Sequence, residues 1–123
     1  MHAIIRQSFG IPDTAIVTEY GMSELGSQAY DRIAVSGPGS TETEPPPRRL
    51  RFPPWCRAAV VSPETGDEVE AGGTGLVRVF DLINVWSVAA VQTGDVARDW
   101  PEGLELLGRA EELEPRGCSR MVA

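Results

Sequence analysis

The chain has 123 residues, 41% of them hydrophobic, and a formal net charge of −7 at pH 7. This length and composition predict one globular domain with one core, because two full domains need a longer chain. The negative charge opposes attraction to nucleic-acid phosphates and to anionic lipids, so we expect neither a nucleic-acid partner nor a membrane partner.

The reactive side chains present in the sequence exclude several kinds of catalytic and metal site. All eleven basic residues are arginines and the single histidine is His2, which excludes a Schiff-base or phosphate-loop lysine, a histidine-based triad and a multi-histidine metal site. The two cysteines, Cys56 and Cys118, form no CxxC pair. No apolar run approaches the roughly 18 residues of a membrane span, and no signal-peptide profile opens the chain. We therefore expect a cytoplasmic protein with free thiols.

The first part of the chain predicts a short helix and a strand. Residues 2–9 place apolar side chains at near-helical spacing, and Gly10 ends the segment. Residues 14–18 predict a buried strand, and residues 25–35 predict a helical turn and another strand. Residues 36–54 are rich in proline and glycine and predict a surface loop.

Residues 55–123 predict an antiparallel β subdomain. Short apolar runs separated by turn residues indicate four strands, at 58–61, 76–80, 88–91 and 104–107. Short connections favour antiparallel pairing. The expected fold class is α+β, in which a short N-terminal helix and strand lead into a mostly antiparallel β meander or distorted barrel.

Three polar motifs each follow a predicted strand. They are Tyr20-Gly21-Met22-Ser23-Glu24, Gln92-Thr93-Gly94-Asp95 and Gly108-Arg109. A carboxylate at Asp95 suits the vicinal diol of a ribose, or it caps a turn. The guanidinium of Arg109 suits phosphate or hydroxyl oxygens, or it makes an ordinary surface pair.

The order of these motifs resembles that of the adenylate-forming enzymes, the superfamily of acyl-CoA synthetases and related ligases. Over residues 53–119 the likeness is to the C-terminal part of the acyl-protein synthetases, the fatty-acid ligases associated with bacterial luminescence and their relatives. It is carried by PPWCRAAVVSPETGDEVEAGGTGLVRVFDLINVWSVAAVQTGDVAR and LELLGRAEELEPRGCS. The resemblance implies a piece of an ATP-dependent ligase that activates a carboxylic or fatty acid as an acyl-adenylate and passes the acyl group to a thiol. Residues 1–35 would then end the α/β nucleotide-binding part.

The resemblance also implies roles for individual residues. In the first motif, Tyr20 would stack its ring on adenine and Gly21 would belong to the same nucleotide-binding loop. Ser23 would contact the α-phosphate, and Glu24 would hold Mg²⁺. Asp95 would bind the ribose hydroxyls of ATP or AMP.

Two further residues receive a role from the same resemblance. Arg109 would lie beside the nucleotide at the base of a hinge. Cys118, in the segment Arg116-Gly117-Cys118-Ser119, would accept the acyl group, or it is an incidental cysteine near the end of the chain.

The chain departs from the family pattern in two respects. The phosphate loop expected well upstream of Tyr20 is absent, and so is the lid lysine, since the chain has no lysine. We therefore expect about the C-terminal third of a ligase, inactive alone, that needs a missing N-terminal part or a partner chain. An acyl reductase is a candidate partner and a homo-oligomer a candidate assembly. Two alternatives remain open: a non-catalytic β-rich interaction or oligomerisation module, and a fragment of a coenzyme A ligase of the phenylacetate type.

Overall fold

The computed structural model describes residues 2–31 and 47–110 of the chain. This part contains an α-helix, a 3-10 helix and seven strands. Their bounds are α1 His2–Phe9, the 3-10 helix Asp13–Ala15, β1 Glu19–Tyr20, β2 Ala29–Asp31, β3 Leu50–Arg51, β4 Cys56–Val61, β5 Thr74–Asp81, β6 Ala90–Trp100 and β7 Gly103–Arg109. Within the described residues, none of the helices has the length and apolar character to cross a bilayer.

The strands form one antiparallel sheet in the order β1-β2-β3-β7-β6-β5-β4. Strands β4 to β7 are a meander, in which each strand pairs with the next along the chain. The short strands β1, β2 and β3 join the meander where Leu50 of β3 lies opposite Leu104 of β7. The predicted α+β class, with a short helix leading into a mostly antiparallel sheet, is confirmed.

The core lies on one face of this sheet, because side chains alternate between the two faces of a strand. In β5, Val77 and Val79 are buried whereas Phe80 is exposed. Buried apolar residues from the other strands complete the cluster, which comprises Ala29, Leu50, Cys56, Val60, Val77, Val79, Ala97 and Leu104. Asp81 occupies the next inward position of β5 and is fully buried.

The predicted helix at 2–9 is confirmed. It ends at Gly10, which has φ 63° and donates its N–H to the carbonyl of Arg6 at 2.9 Å, as expected for a glycine in the left-handed region after a helix. No residue of α1 is buried, and both Ile4 and Phe9 are exposed. The helix is therefore attached to the rest of the domain through polar contacts such as His2 Nε2 to Thr18 Oγ1 at 2.9 Å.

The buried strand predicted at 14–18 is wrong. The chain forms a 3-10 helix at Asp13–Ala15, and β1 begins only at Glu19. The carbonyls of Asp13 and Ile16 accept hydrogen bonds from the guanidinium of Arg48, at 2.7 and 2.9 Å. A side chain distant in sequence thus satisfies backbone groups that a neighbouring strand would otherwise pair, and local periodicity cannot reveal this.

The four strands predicted after residue 55 are present, but the third is longer than predicted. It runs from Ala90 to Trp100, so Asp95 lies inside β6 and not past a strand end. Gly108 and Arg109 similarly lie inside β7. In the zone predicted as a loop over 36–54, residues 36–46 fall outside the described part, and Leu50–Arg51 forms β3.

Candidate functional site

The carboxylate of Asp95 joins all three polar motifs. The hydroxyl of Tyr20 donates to Asp95 Oδ2 at 2.8 Å, and Nε of Arg109 donates to Asp95 Oδ1 at 2.9 Å. The side chain of Asp95 is only 13% exposed, whereas that of Arg109 is 62% exposed. The structure therefore brings together Tyr20, Asp95 and Arg109, which lie up to 89 positions apart in the sequence.

The pairing of β6 with β7 places Arg109 beside Asp95. The two residues are direct cross-strand partners, and the register shifts by one residue between Val96 and Ala97. Gly108 has φ 142° and no atom close to where a Cβ would stand. A residue with a side chain rarely adopts that φ, so the glycine permits the bulge that aligns Arg109 with Asp95.

Tyr20 reaches Asp95 from the opposite part of the sheet. Strands β1 and β6 are separated by β2, β3 and β7 in the strand order, a distance of about 19 Å in a flat sheet. The direct contact therefore requires a strongly curled sheet. The ring of Tyr20 also packs edge-on against Phe52, with ring centroids 6.0 Å apart and planes at 87°, which fixes its direction.

Thr93 fixes the backbone at Asp95 through hydrogen bonds, a role that the sequence analysis missed. Its hydroxyl donates to the carbonyl of Val77 on β5 at 3.0 Å and accepts from the backbone N–H of Asp95 at 3.1 Å. The carbonyl of Gly94 accepts from the N–H of Ala110 at 2.9 Å. A threonine two residues before an aspartate is a known local pattern for this side chain to backbone bond, and it is the signal that the sequence offered.

The electrostatics of the cluster keep Tyr20 as a hydrogen-bond donor. Burial raises the pKa of Tyr20, and its hydrogen bond to the Asp95 carboxylate and that negative charge raise it further. The pKa of Arg109 is also raised, first by its hydrogen bond to Asp95 and then by the carboxylate charge. At neutral pH the cluster is therefore a protonated phenol and a guanidinium on one carboxylate.

The remaining residues of the first motif form an exposed turn. The hydroxyl of Ser23 donates to Glu24 Oε2 at 3.3 Å, so these two predicted site residues bond to each other and not to Asp95 or Arg109. A Cβ on Gly21 would approach Cγ of Gln28 to 3.1 Å, which accounts for a glycine there. The structure thus brings Tyr20 to Asp95 while Ser23 and Glu24 face solvent.

The carboxylate of Asp95 has capacity for further hydrogen bonds. An ionised carboxylate has about four acceptor positions, so Asp95 retains acceptor capacity for ribose hydroxyls beside its bonds to Tyr20 and Arg109. Within residues 2–31 and 47–110, no group of three or more His, Cys, Asp or Glu side chains could hold a metal ion. Glu24 fits the Mg²⁺ role as a single carboxylate, since Mg²⁺ at nucleotide sites is commonly held by one or two carboxylates and by substrate phosphates.

The two cysteines differ in what the structure describes. Cys118 lies outside the described residues. Cys56 is buried in β4, and burial, followed by the nearby Asp81 charge, raises the pKa of its thiol to about 11. Cys56 is therefore a core residue with little thiolate at neutral pH.

Comparison with solved structures shows where this fold occurs. The chain matches the ATP-bound RpMatB-BxBclM chimera B3 at 20% identity with a TM-score of 0.59, over 89% of this chain and 23% of that one. It matches apo MatB from Rhodopseudomonas palustris at 21% identity and TM-score 0.58, over 93% of this chain and 24% of that one. It also matches the luciferase-like enzyme of the nonluminescent mealworm Zophobas morio at 19% identity and TM-score 0.55, over 92% of this chain and 29% of that one.

These matches concern the fold. No family model matches the chain, and no curated protein matches it. The chain spans about a quarter of the length of the solved chains that it resembles. The expected fold, a short helix and strand leading into a mostly antiparallel sheet, therefore recurs as a part of these larger solved chains.

Proposed function

We propose that this chain forms the nucleotide-binding part of an ATP-dependent ligase that activates a carboxylic acid as an acyl-adenylate. The observation that carries the proposal is the meeting of Tyr20, Asp95 and Arg109 on one carboxylate. Three motifs that resemble those of adenylate-forming enzymes are thus assembled in space as well as in order. The match to an ATP-bound structure of the same fold supports the choice of nucleotide.

In this proposal the residues of the cluster bind and orient the nucleotide. The carboxylate of Asp95 accepts hydrogen bonds from the ribose hydroxyls, and the bonds from Tyr20 and Arg109 hold that carboxylate in place. The ring of Tyr20 offers a face to adenine. Ser23 and Glu24, exposed at the turn, are directed to the α-phosphate and to Mg²⁺, which neutralises phosphate charge when bound.

The finer parts of the proposal concern the acid and the acyl acceptor. We assign a fatty acid as substrate and Cys118 as acceptor, in line with the likeness to acyl-protein synthetases, and a cytoplasmic location. An acyl reductase is the proposed downstream partner. Because the chain spans about a quarter of the enzymes it matches, the remaining parts of the active site are supplied by a further segment or by a partner chain.

Titration calorimetry of the purified chain with AMP and with Mg²⁺-ATP tests the proposal. We expect saturable binding that weakens by about 10- to 100-fold in Asp95→Ala, because hydrogen bonds to a charged group contribute about 1.5–3 kcal/mol. Tyr20→Phe, which removes only the hydroxyl on Asp95, should weaken binding by a smaller factor. The matched control is Asp67→Ala, which removes an exposed carboxylate on the β4–β5 connection. Absence of saturable binding, or equal losses in Asp95→Ala and Asp67→Ala, would contradict the proposal.

The acceptor role of Cys118 has its own measurement. After incubation with a fatty acyl-adenylate, we expect a mass increase that hydroxylamine reverses, as for a thioester, and that is absent in Cys118→Ser. The matched control is Cys56→Ser, which removes the buried thiol of raised pKa and should leave the mass increase unchanged. A mass increase that survives in Cys118→Ser would place the acyl group on another residue and contradict the assignment, whereas no mass increase in the wild type would favour a free thiol as acceptor, as in a coenzyme A ligase.

One observation favours the second candidate, an interaction module. The connection between β5 and β6 exposes several large apolar side chains, with Trp86 97%, Leu82 69% and Val85 65% exposed. Contiguous exposed apolar surface commonly marks a protein contact. Concentration-dependent sedimentation that disappears in Trp86→Ser, together with no nucleotide binding, would support this candidate over the ligase.

A further inference from the structure

The residues at the end of β5 make contacts that no part of the predicted site explains. Asp81 continues the inward alternation of β5 at a position where a core strand normally carries an apolar side chain. It is 0% exposed, and its backbone N–H donates to the carbonyl of Ala89 at 2.8 Å, which closes the connection between β5 and β6. Burying a carboxylate is costly unless it is hydrogen-bonded, so its partners indicate what it does.

One partner of Asp81, Ser27, belongs to the loop that follows the first motif, and the other, Ile83, belongs to the β5–β6 connection. Asp81 Oδ1 accepts from the hydroxyl of Ser27 at 2.9 Å and from the N–H of Ile83 at 3.1 Å. The hydroxyl oxygen of Ser27 also accepts from the indole Nε1 of Trp55 at 3.1 Å. Ser27 is itself only 5% exposed, so residue 27 is fixed from two directions.

Asn84, three residues after Asp81, makes a second connection to the same loop. Its Nδ2 donates to the carbonyl of Glu24 at 2.5 Å and to the carbonyl of Val88 at 3.0 Å. One side-chain amide thus bridges the first motif and the β5–β6 connection. A Cβ on Gly26, between these two attachment points, would lie 3.2 Å from Cγ2 of Ile83, so the loop backbone packs closely on this connection.

We propose that Asp81 and Asn84 are positioning residues that hold the loop from Gly21 to Ser27 in its ordered form. The inference rests on the proposed function, in which this loop presents Ser23 and Glu24 to the phosphates. The other end of the loop is held by the bond from Tyr20 to Asp95. Among the described residues, the side chains of Ser23 and Glu24 hydrogen-bond only to each other. Their direction therefore depends on the backbone attachment at Glu24 and on Ser27.

Substitutions at Asp81 and Asn84 can separate the contacts to the loop from one another. Oδ2 is buried and has no hydrogen-bond partner among the described residues. Asp81→Asn retains an oxygen for Ser27 and Ile83 and places an uncharged amide nitrogen, with two N–H donors, where Oδ2 has no partner. Asp81→Ala removes both contacts, and Asn84→Ala removes the bridge between Glu24 and Val88.

Hydrogen exchange of the nucleotide-free chain, followed by mass spectrometry, tests this positioning role. In Asp81→Ala and in Asn84→Ala we expect exchange of residues 21–27 to rise roughly tenfold, the factor that corresponds to one lost hydrogen bond, while exchange of residues 103–109 in β7 is unchanged. In Asp81→Asn, which keeps the bonds to Ser27 and Ile83, exchange of residues 21–27 should rise less than in Asp81→Ala. The matched control is Trp86→Ser, in the same connection, whose side chain is 97% exposed and should not affect the loop.

Two results would overturn the inference. The first is wild-type exchange over residues 21–27 in Asn84→Ala, and the second is a uniform rise over every strand in that variant, which indicates only general destabilisation. If Asp81→Ala does not fold, the difference in exchange of residues 21–27 between Asn84→Ala and Trp86→Ser still tests the positioning role. The exchange experiment contains no nucleotide, whereas AMP titration of the wild type decides the proposed function, so the two proposals fail separately.

Discussion

The meander β4–β7 and the short strands β1–β3 belong to one sheet but are held in different ways. In the meander, β4 and β5 pair over six consecutive residues, and backbone bonds between neighbours in sequence dominate. Strands β1 and β2 share only two residue pairs, and β3 meets β7 at the single described pair of Leu50 with Leu104. The short strands therefore depend on side chains for their position.

Arg48 is the centre of that side-chain support. Its guanidinium donates to the carboxylate of Asp31 on β2 and to the carbonyls of Asp13 and Ile16. The N–H of Thr18 donates to the other oxygen of Asp31 at 2.6 Å. The region that carries the first motif is thus held by long-range polar contacts, whereas the region that carries Asp95 and Arg109 is held by pairing between consecutive strands.

Arg48→Ala should have the largest effect on stability, because it removes the side-chain support of the short strands. This variant leaves the carboxylate of Asp31, which is 3% exposed, without its guanidinium partner. We therefore expect the free energy of unfolding to fall by about 3 kcal/mol. Hydrogen exchange should rise over residues 16–20 and 29–31 and change little in β5. The matched control is Arg57→Ala, whose ion pair with Glu68 is exposed and should contribute less than about 1 kcal/mol. An equal rise in all strands would show that the two regions unfold together.

A smaller effect is expected from Val79→Ala in the meander. Val79 is 0% exposed in the core. Removal of its two buried methyl groups should lower the free energy of unfolding by about 2 kcal/mol. Because this core supports both regions, exchange should rise in every strand, the opposite of the result for Arg48→Ala. The control is Val88→Ala, at a residue that is 51% exposed. It should change the free energy of unfolding by less than about 0.5 kcal/mol. A rise confined to β4 and β5 would contradict the shared core.

The smallest effect is expected on acidification. Burial alone would raise the pKa of Asp31, but hydrogen bonds from Thr18 and Arg48 hold it below its ordinary value. A lowered folded pKa contributes stability that is present above the unfolded value, about 3.9, and is lost as the pH falls through the folded value. Exchange in β1 and β2 should therefore rise as the pH drops below about 4. Protonation removes only the charge and creates no cavity, so the loss should be smaller than in Arg48→Ala.

The acid prediction has a specific control. Asp31→Asn cannot titrate, so its β1–β2 exchange should lose the acid-dependent component while other carboxylates keep theirs. Persistence of the same acid-dependent rise in Asp31→Asn would assign it to another group.

Local signals predicted the helix at 2–9 and the existence of the four meander strands, since these depend on hydrophobic spacing and turn residues in short windows. The same signals failed at 14–18, where Arg48 satisfies the backbone, and at Asp95, which lies inside β6 because it pairs with Arg109 of β7. The candidate residues Tyr20, Asp95 and Arg109 were found through the resemblance of their motifs. Asp81 and Asn84 were missed because Ser27 and Glu24, which they contact, lie far from them in the sequence. Thr93 lies two residues before Asp95, and its local pattern was overlooked.

The sequence by itself determined the antiparallel meander, the absence of lysine chemistry and the residue types available to a nucleotide. Only the tertiary structure decided that Tyr20 reaches Asp95 across three intervening strands and that Asp81 and Asn84 attach to the first motif. The physical reason is that pairing between consecutive strands follows from local spacing, whereas the curl of a sheet depends on all of its strands at once.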